Sequence, residues 1–302
     1  MELSQADFQN IREYIYKICG LDIKEDKKYL IRQRLGTLVL EAGCKNFAEF
    51  YEKLVRENSA PMKDKVIGAI TTNETSFFRD KHPFDTFKNY ILPILGELIK
   101  VRKSRSMDIK GPKVRIWCAA ASTGQEPYSL AILIHEFVQI NRFFGISTSD
   151  FGIQATDISP EVLSKAIAGE YNAVEVSRGL TPDQRAKYFV KAGNSLVIQS
   201  WIRSMVDFRR ANLVEPFMLF GNFDVILCRN VLIYFDDETK KKILDKFFNS
   251  LNENGLLMLG ASENMFTLTS KFQPIRVGDT NLYQKKCSPP SNLPPVQPQI
   301  KP

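Results

Sequence analysis

The chain has 302 residues, 44% hydrophobic and 25% charged, which is the composition of an ordinary globular protein with the length for two domains. No apolar stretch approaches the roughly 20 residues that a membrane-spanning helix needs, and MELSQADFQN has no basic region leading into an apolar core, so a soluble protein that stays inside the cell is expected. The net charge of +7 favours an acidic partner without separating nucleic acid from an acidic protein surface.

Residues 1–70 read as a helical domain. SQADFQNIREYIYKICG opens on a capping residue, and a run over 27–42 sets Ile31, Leu35, Leu38 and Ala42 on one stripe. Gly43 suits a helix stop. NFAEFYEKLVREN then places Phe47, Phe50, Tyr51 and Leu54 at helical spacing, and one more short helix is expected before Thr71. Residues 71–112, beginning TTNETSFFRDKHPF, are expected to join this part to the next. From Lys113 short apolar runs alternate with helical ones, the pattern of an α/β domain with a mainly parallel, doubly wound sheet over 113–286. VRIWC, FGIQATDIS, FDVILCRN and GLLMLGAS read as strands, EPYSLAILIHEFVQI and DDETKKKILDKFFNSL as helices, and FQPIRVGDTNLYQKK as a terminal hairpin. A small antiparallel insert is expected over about 186–208, around the AGNS turn. The tail 287–302 holds six of the fifteen prolines and no aromatic residue, so it is expected to be extended and disordered.

Chemistry concentrates at strand ends. VRIWC runs into AAASTGQ and a helix with Pro127 near its start, so small residues let a ligand approach outward-pointing amides. With Gly124 as its only glycine, this turn lacks the GxGxxG that a pyrophosphate would want, and a ligand without phosphates fits better. Asp157 ends the next strand, where it can accept from ribose hydroxyls or act as a cap with Ser159. Glu126 is either a first-turn carboxylate on the helix dipole or a ligand for a cationic cofactor. Taken alone, Asn73 reads as a helix cap, Arg79 as a surface cation and Tyr234 as a half-buried strand aromatic. Five scattered cysteines and two histidines give neither a disulfide framework nor a metal site, so no metal is expected. Cys118 and Cys228 sit in apolar runs and read as small hydrophobes.

Taken together, TNETSFFRD, AAASTGQEPYSLAI, ATDIS, ANL and FDVILCRNVLIYFD resemble the chemotaxis receptor methyltransferases, called CheR, over nearly the whole chain to about Lys286. The resemblance implies a Rossmann-like class I domain dependent on S-adenosylmethionine (SAM), preceded by an all-α domain. It implies that Asn73, Thr75, Arg79, Glu126, Asp157, Asn212, Leu213, Arg229 and Asn230 line the cofactor site, with Arg79 and Tyr234 near the transferred methyl and the incoming glutamate. The implied reaction forms glutamate methyl esters and S-adenosylhomocysteine on cytoplasmic receptor bundles during sensory adaptation, in a cytoplasmic monomer that can be recruited to receptor arrays. A glutamate with its pKa about 4.3 is already ionised at neutral pH, so a histidine-poor site is no obstacle.

Two rivals remain. A nucleic-acid methyltransferase suits the charge, but CRNVLIYF stands where an NPPY-like segment would, and no basic and aromatic stripe appears. A non-catalytic SAM-binding signalling module would keep the fold and signal by docking. By resemblance, Lys27, Lys28, Arg32 and Arg34 present a basic helix to the receptor, whereas a solvated amphipathic helix is the plain alternative. Some family members grip a receptor pentapeptide by strand addition to the insert; the short KAGNS turn predicts weak or absent tethering here.

Overall fold

The computed structural model describes residues 1–105, 111–216 and 222–286; the proline-rich tail lies outside the described residues. Helix α1 (Gln5–Cys19) starts where the Ser4 hydroxyl accepts the Asp7 N–H at 3.1 Å and ends at Gly20. Helices α2 (Lys28–Glu41), α3 (Phe47–Glu57) and α4 (Ala60–Ile70) follow, and their apolar stripes close a single core. Phe8, Ile11 and Ile15 of α1 meet Ile31 and Leu35 of α2, Phe47 and Phe50 of α3, and Val66 and Ile70 of α4.

Segment 71–112 does more than connect. Helices α5 (His82–Thr86) and α6 (Leu92–Arg105) flank a π-helical turn over Phe87–Ile91. Phe84, Phe87, Ile91, Leu95 and Ile99 recur at helical spacing and are buried with the residues of the main sheet. The expected linker is therefore part of the α/β domain.

After it come β1 (Val114–Ala119), α7 (Gln125–Asn141), β2 (Phe151–Asp157), α8 (Pro160–Ala168), β3 (Glu170–Asn172), α9 (Ala173–Ser177), α10 (Pro182–Tyr188), β4 (Phe189–Ala192), β5 (Ser195–Ile198), α11 (Ser200–Arg203), β6 (Val206–Arg210), β7 (Phe223–Cys228), α12 (Asp237–Ser250), β8 (Leu251–Leu259), β9 (Phe272–Val277) and β10 (Thr280–Lys285). The main sheet runs β6-β2-β1-β7-β8-β10-β9. It is parallel from β6 through β8, and β10 lies antiparallel to both of its neighbours. The pleat sorts the core: Ile116 and Cys118 face the cluster built with α6 and α7, whereas Trp117 and Ala119 face Ile243, Leu244 and Phe247 of α12.

The insert corrects the expectation over 186–208. The antiparallel sheet is β3-β5-β4, so its third strand comes from Glu170–Asn172, upstream of the expected range. The run Val206–Arg210, expected within the insert, is instead the edge of the main sheet, paired parallel to β2. Its pattern, with Val206 buried and the next four residues more exposed, is that of an edge strand covered on one face, which an antiparallel insert would share.

Candidate active site

The order of strands reverses about β1, and in such sheets ligands bind beyond the carboxyl ends of the strands at the reversal. A cavity of about 1060 Å³, counting its open mouth, lies there. Asn73, Thr75 and Arg79 line it from the segment after α4, Glu126 from the start of α7, and Asp157 from the end of β2. Asn212 and Leu213 follow β6, and Arg229, Asn230 and Tyr234 follow β7. All ten site residues singled out in the sequence therefore meet in one place. Cys19 at the end of α1 and Leu21 just beyond it add to the wall from the helical domain.

Local backbone explains why these loops look as they do. Of the eight non-glycine residues with positive φ among those described, six lie in the segment between α4 and α5, the turn between β1 and α7 or the loop after β7: Phe78, Asp80, Lys81, Ala120, Ser122 and Asn230. Such conformations cost of order 1–3 kcal/mol each and persist where surrounding contacts enforce them. In AAASTGQ the enforcing contacts are visible: Ala121 N–H donates to Thr156 O at 2.9 Å, Ser122 N–H to Asp157 Oδ2 at 2.8 Å, and the Ser122 hydroxyl to Asn73 O at 3.0 Å. Gly124 has φ +93°, and a Cβ there would stand 3.0 Å from Ala166 Cβ, so the glycine serves close packing of the turn on α8.

Asp157 is thus a bracket. Its Oδ1 accepts the Ser159 N–H at 3.0 Å while Oδ2 holds Ser122, and Ser159, not Asp157, is the N-cap of α8. Burial pushes the Asp157 carboxyl above the ordinary carboxylate range, against the pull of these amides.

Arg229 is buried, its side chain 3% exposed. Its Nη1 donates to Glu126 Oε2 at 2.9 Å, and Nη2 donates to Asp80 Oδ2 and Arg79 O, each at 2.9 Å. The guanidinium also lies over the Phe84 ring, 5.4 Å from its centroid. Arg229 therefore ties the strand-end loops to the NETSFFRD segment and fixes Glu126 in the wall. Burial raises the Glu126 carboxyl, with Arg229 opposing. Arg79 is half-buried in the same lining and donates to Glu74 O at 2.7 Å. Tyr234 sits in a single helical turn, Leu232–Tyr234, rather than on a strand, and its carbonyl accepts the Asp22 N–H at 3.0 Å. Asn212 bridges the domains by donating to Ile18 O at 2.9 Å.

Sequence reasoning missed Glu263. Only 4% exposed, it accepts the N–H of Gly260 and of Asn230 on Oε2, at 2.7 and 2.9 Å. On Oε1 it accepts Val231 at 2.9 Å and Leu232 at 2.7 Å. One carboxylate thus shapes the loop that brings Asn230 and Tyr234 to the cavity. The only signal was a glutamate in ASEN just after the apolar run LLML that ends β8.

Lys27 and Arg32 are exposed and Lys28 is half-buried at the start of α2. Arg34 departs from the expected docking face, because its guanidinium is bonded inward to Ile70 O, Thr71 O and Thr72 Oγ1. Helix α2 packs against α4, which puts the carbonyls at the α4 C-terminus within reach of Arg34.

Small residues against the strand end, two buried carboxylates, one of them at the tip of the second strand, and a glycine-poor turn fit an adenosine-type ligand that carries positive charge and no phosphate. Fold and site define a Rossmann-like nucleoside-binding α/β domain with a helical domain roofing the cleft. Residues 73–280 match the family described as CheR methyltransferase, SAM binding domain, and residues 6–71 match CheR methyltransferase, all-alpha domain. The chain is 38% identical over 287 residues to chemotaxis protein methyltransferase 1 of Pseudomonas aeruginosa, covering 95% of this chain and 100% of that one. It is 36% identical over 285 residues to the chemotaxis protein methyltransferase of Vibrio parahaemolyticus, covering 94% and 98%. With that of Salmonella typhimurium it shares 34% over 277 residues, covering 90% and 88%. The chain belongs to the CheR methyltransferase family and is a SAM-dependent methyltransferase.

Proposed function

We propose that the chain transfers methyl groups from SAM to glutamate side chains of methyl-accepting chemotaxis receptors, giving glutamate methyl esters in sensory adaptation. The observation that carries this reading is the meeting of Arg79 and Tyr234 with Asn73, Glu126 and Asp157 on one cavity, among whose lining residues there is no histidine. SAM supplies a methyl group on a cationic sulfur. A glutamate carboxylate, ionised at neutral pH, forms the new O–CH3 bond as the C–S bond breaks and its electron pair goes to sulfur, so no proton needs a base. The protein's task is alignment, which can lower a barrier by roughly 7–11 kcal/mol at best. Arg79 holds the unreactive oxygen of the incoming carboxylate, and Tyr234 orients it by hydrogen bonding.

Lys27, Lys28 and Arg32 receive the acidic flank of the receptor's cytoplasmic helical bundle. The turn joining β4 to β5 is only Gly193 and Asn194, and pentapeptide tethering at this sheet is weak or absent. None of the described helices is long and apolar enough to cross a membrane, and a cytoplasmic protein suits a cytoplasmic bundle. The test is transfer of a radiolabelled methyl from SAM to receptor-containing membranes, followed by mild alkali. Base-labile label on the receptor band, lost in Arg79→Ala, supports the reading. Cofactor binding with no label on any receptor supplied defeats it.

A further inference from the structure

The helix that carries the docking cations also holds the cofactor loop, and a single side chain makes the link. Arg34 Nη1 donates to Ile70 O at 2.6 Å and Thr71 O at 3.1 Å, while Nη2 donates to Thr72 Oγ1 at 2.9 Å. Helix α4 ends at Ile70, so the two carbonyls belong to its C-terminus, where unpaired C=O groups carry the negative end of the helix dipole. The guanidinium satisfies them and, through its second nitrogen, fixes the next residue too. All three partners, Ile70, Thr71 and Thr72, line the cavity, and the chain then runs on to Asn73 and Thr75 in the same wall. Farther along, Asn73 O is held by the Ser122 hydroxyl, so the loop is pinned at two points, one of them from α2.

We propose that Arg34 is a positioning residue for the cofactor loop: it orients residues 70–75 for cofactor binding and does not contact the docking partner. The fork is what matters. A planar guanidinium spans two successive carbonyls and a hydroxyl from two separate nitrogens, whereas an ammonium, though it has three donors, is a single point on a flexible stem and does not reproduce that fork. A docking contact, by contrast, depends mainly on charge and survives replacement by lysine.

The inference rests on the cavity being the SAM site, so the experiment begins with S-adenosylhomocysteine titrated calorimetrically into the unmodified chain with no receptor present. Failure to bind there overturns the cavity assignment and leaves nothing for Arg34 to position. Given binding, Arg34→Lys and Arg34→Ala are compared in the same receptor-free titration. Positioning predicts affinity reduced on the order of tenfold in Arg34→Lys, the change that a lost charge-assisted hydrogen bond corresponds to, and at least as much in Arg34→Ala. With receptor supplied, the Arg34→Lys defect appears in KM for SAM while kcat at saturating SAM stays near that of the unmodified chain. Hydrogen exchange of the ligand-free protein gives a readout independent of binding: amides within 71–75 exchange faster in Arg34→Lys, whereas those of α1 do not. Wild-type affinity and exchange in the folded Arg34→Lys protein, or a defect confined to KM for the receptor, would overturn the inference. Faster exchange throughout the helical domain would do so as well, by reducing Arg34 to a general structural role.

Discussion

Replacing Glu263 by glutamine tests whether one carboxylate shapes the loop after β7. Four backbone N–H groups within 2.9 Å, from Gly260, Asn230, Val231 and Leu232, converge on its two oxygens. Glutamine keeps the size but offers only one acceptor oxygen, so in either amide orientation two of these N–H groups face another donor. A buried donor left unsatisfied costs about 1–3 kcal/mol, and two cost roughly 2–6 before the loop relaxes. Because one end of the loop can shift toward solvent, we expect a loss near the lower end, about 2–4 kcal/mol. The loop presents Asn230 and Tyr234, so cofactor affinity should fall with it, roughly tenfold for each 1.4 kcal/mol that falls on the bound geometry. Urea denaturation of the ligand-free protein measures the first quantity and calorimetric titration with S-adenosylhomocysteine the second. Glu263→Asp, whose shorter side chain cannot reach both sides of the loop, should not rescue either. A glutamine variant with unchanged midpoint and unchanged affinity would refute the reasoning, since the four contacts would then carry nothing.

Three further outcomes follow from the same geometry. Asp157→Ala strips the acceptor from the Ser122 and Ser159 amides and should weaken S-adenosylhomocysteine binding by at least about tenfold, read by calorimetry, with a smaller loss of stability. Gly179→Ala should destabilise the fold by at least about 2 kcal/mol in urea, since φ is +101° and a Cβ would lie 1.8 Å from Phe77 O, in the segment between Asn73 and Arg79. Burial raises the Glu126 and Asp157 carboxyls in the folded protein, so the native state takes up protons there before the unfolded chain does. Their contribution to stability therefore falls as pH rises from the ordinary carboxylate value through the raised one, and acid down to that window should not unfold the protein through these groups. Affinity for the cationic cofactor should run the other way, declining as pH drops through the same window while the fold persists. Glu126→Gln should bind more weakly, with a flatter profile, in titrations carried from neutral pH down to the ordinary carboxylate value.

Local pattern in the sequence was enough for the helical domain and most of the parallel sheet. The spacing of Ile31 and Leu35, or of Phe47 and Phe50, already states which face is buried, because a helix repeats every 3.6 residues whatever lies opposite. Among the residues lining the cavity, Asp157 and Glu126 were legible as acids at a strand end and a helix start, since a doubly wound sheet sends its strand ends to a common cleft, whereas Asn73, Thr75, Arg79, Asn212, Leu213, Arg229, Asn230 and Tyr234 followed only from the resemblance of the combined motifs. What packs against what was not legible. Val206–Arg210 and Glu170–Asn172 are short amphipathic runs that pair equally well in either sheet, and only the completed fold assigns the first to β2 and the second to the insert. Arg34 read as one of the docking cations, and Glu263 carried no motif. Their partners are backbone groups of loops distant in sequence, and a backbone donor or acceptor leaves no residue-specific mark in the chain. The sequence by itself thus determined the elements and the chemistry they carry to the cleft; the tertiary structure alone decided which charges face the partner and which are spent holding the cleft in shape, because that depends on which backbone groups folding leaves unpaired beside them.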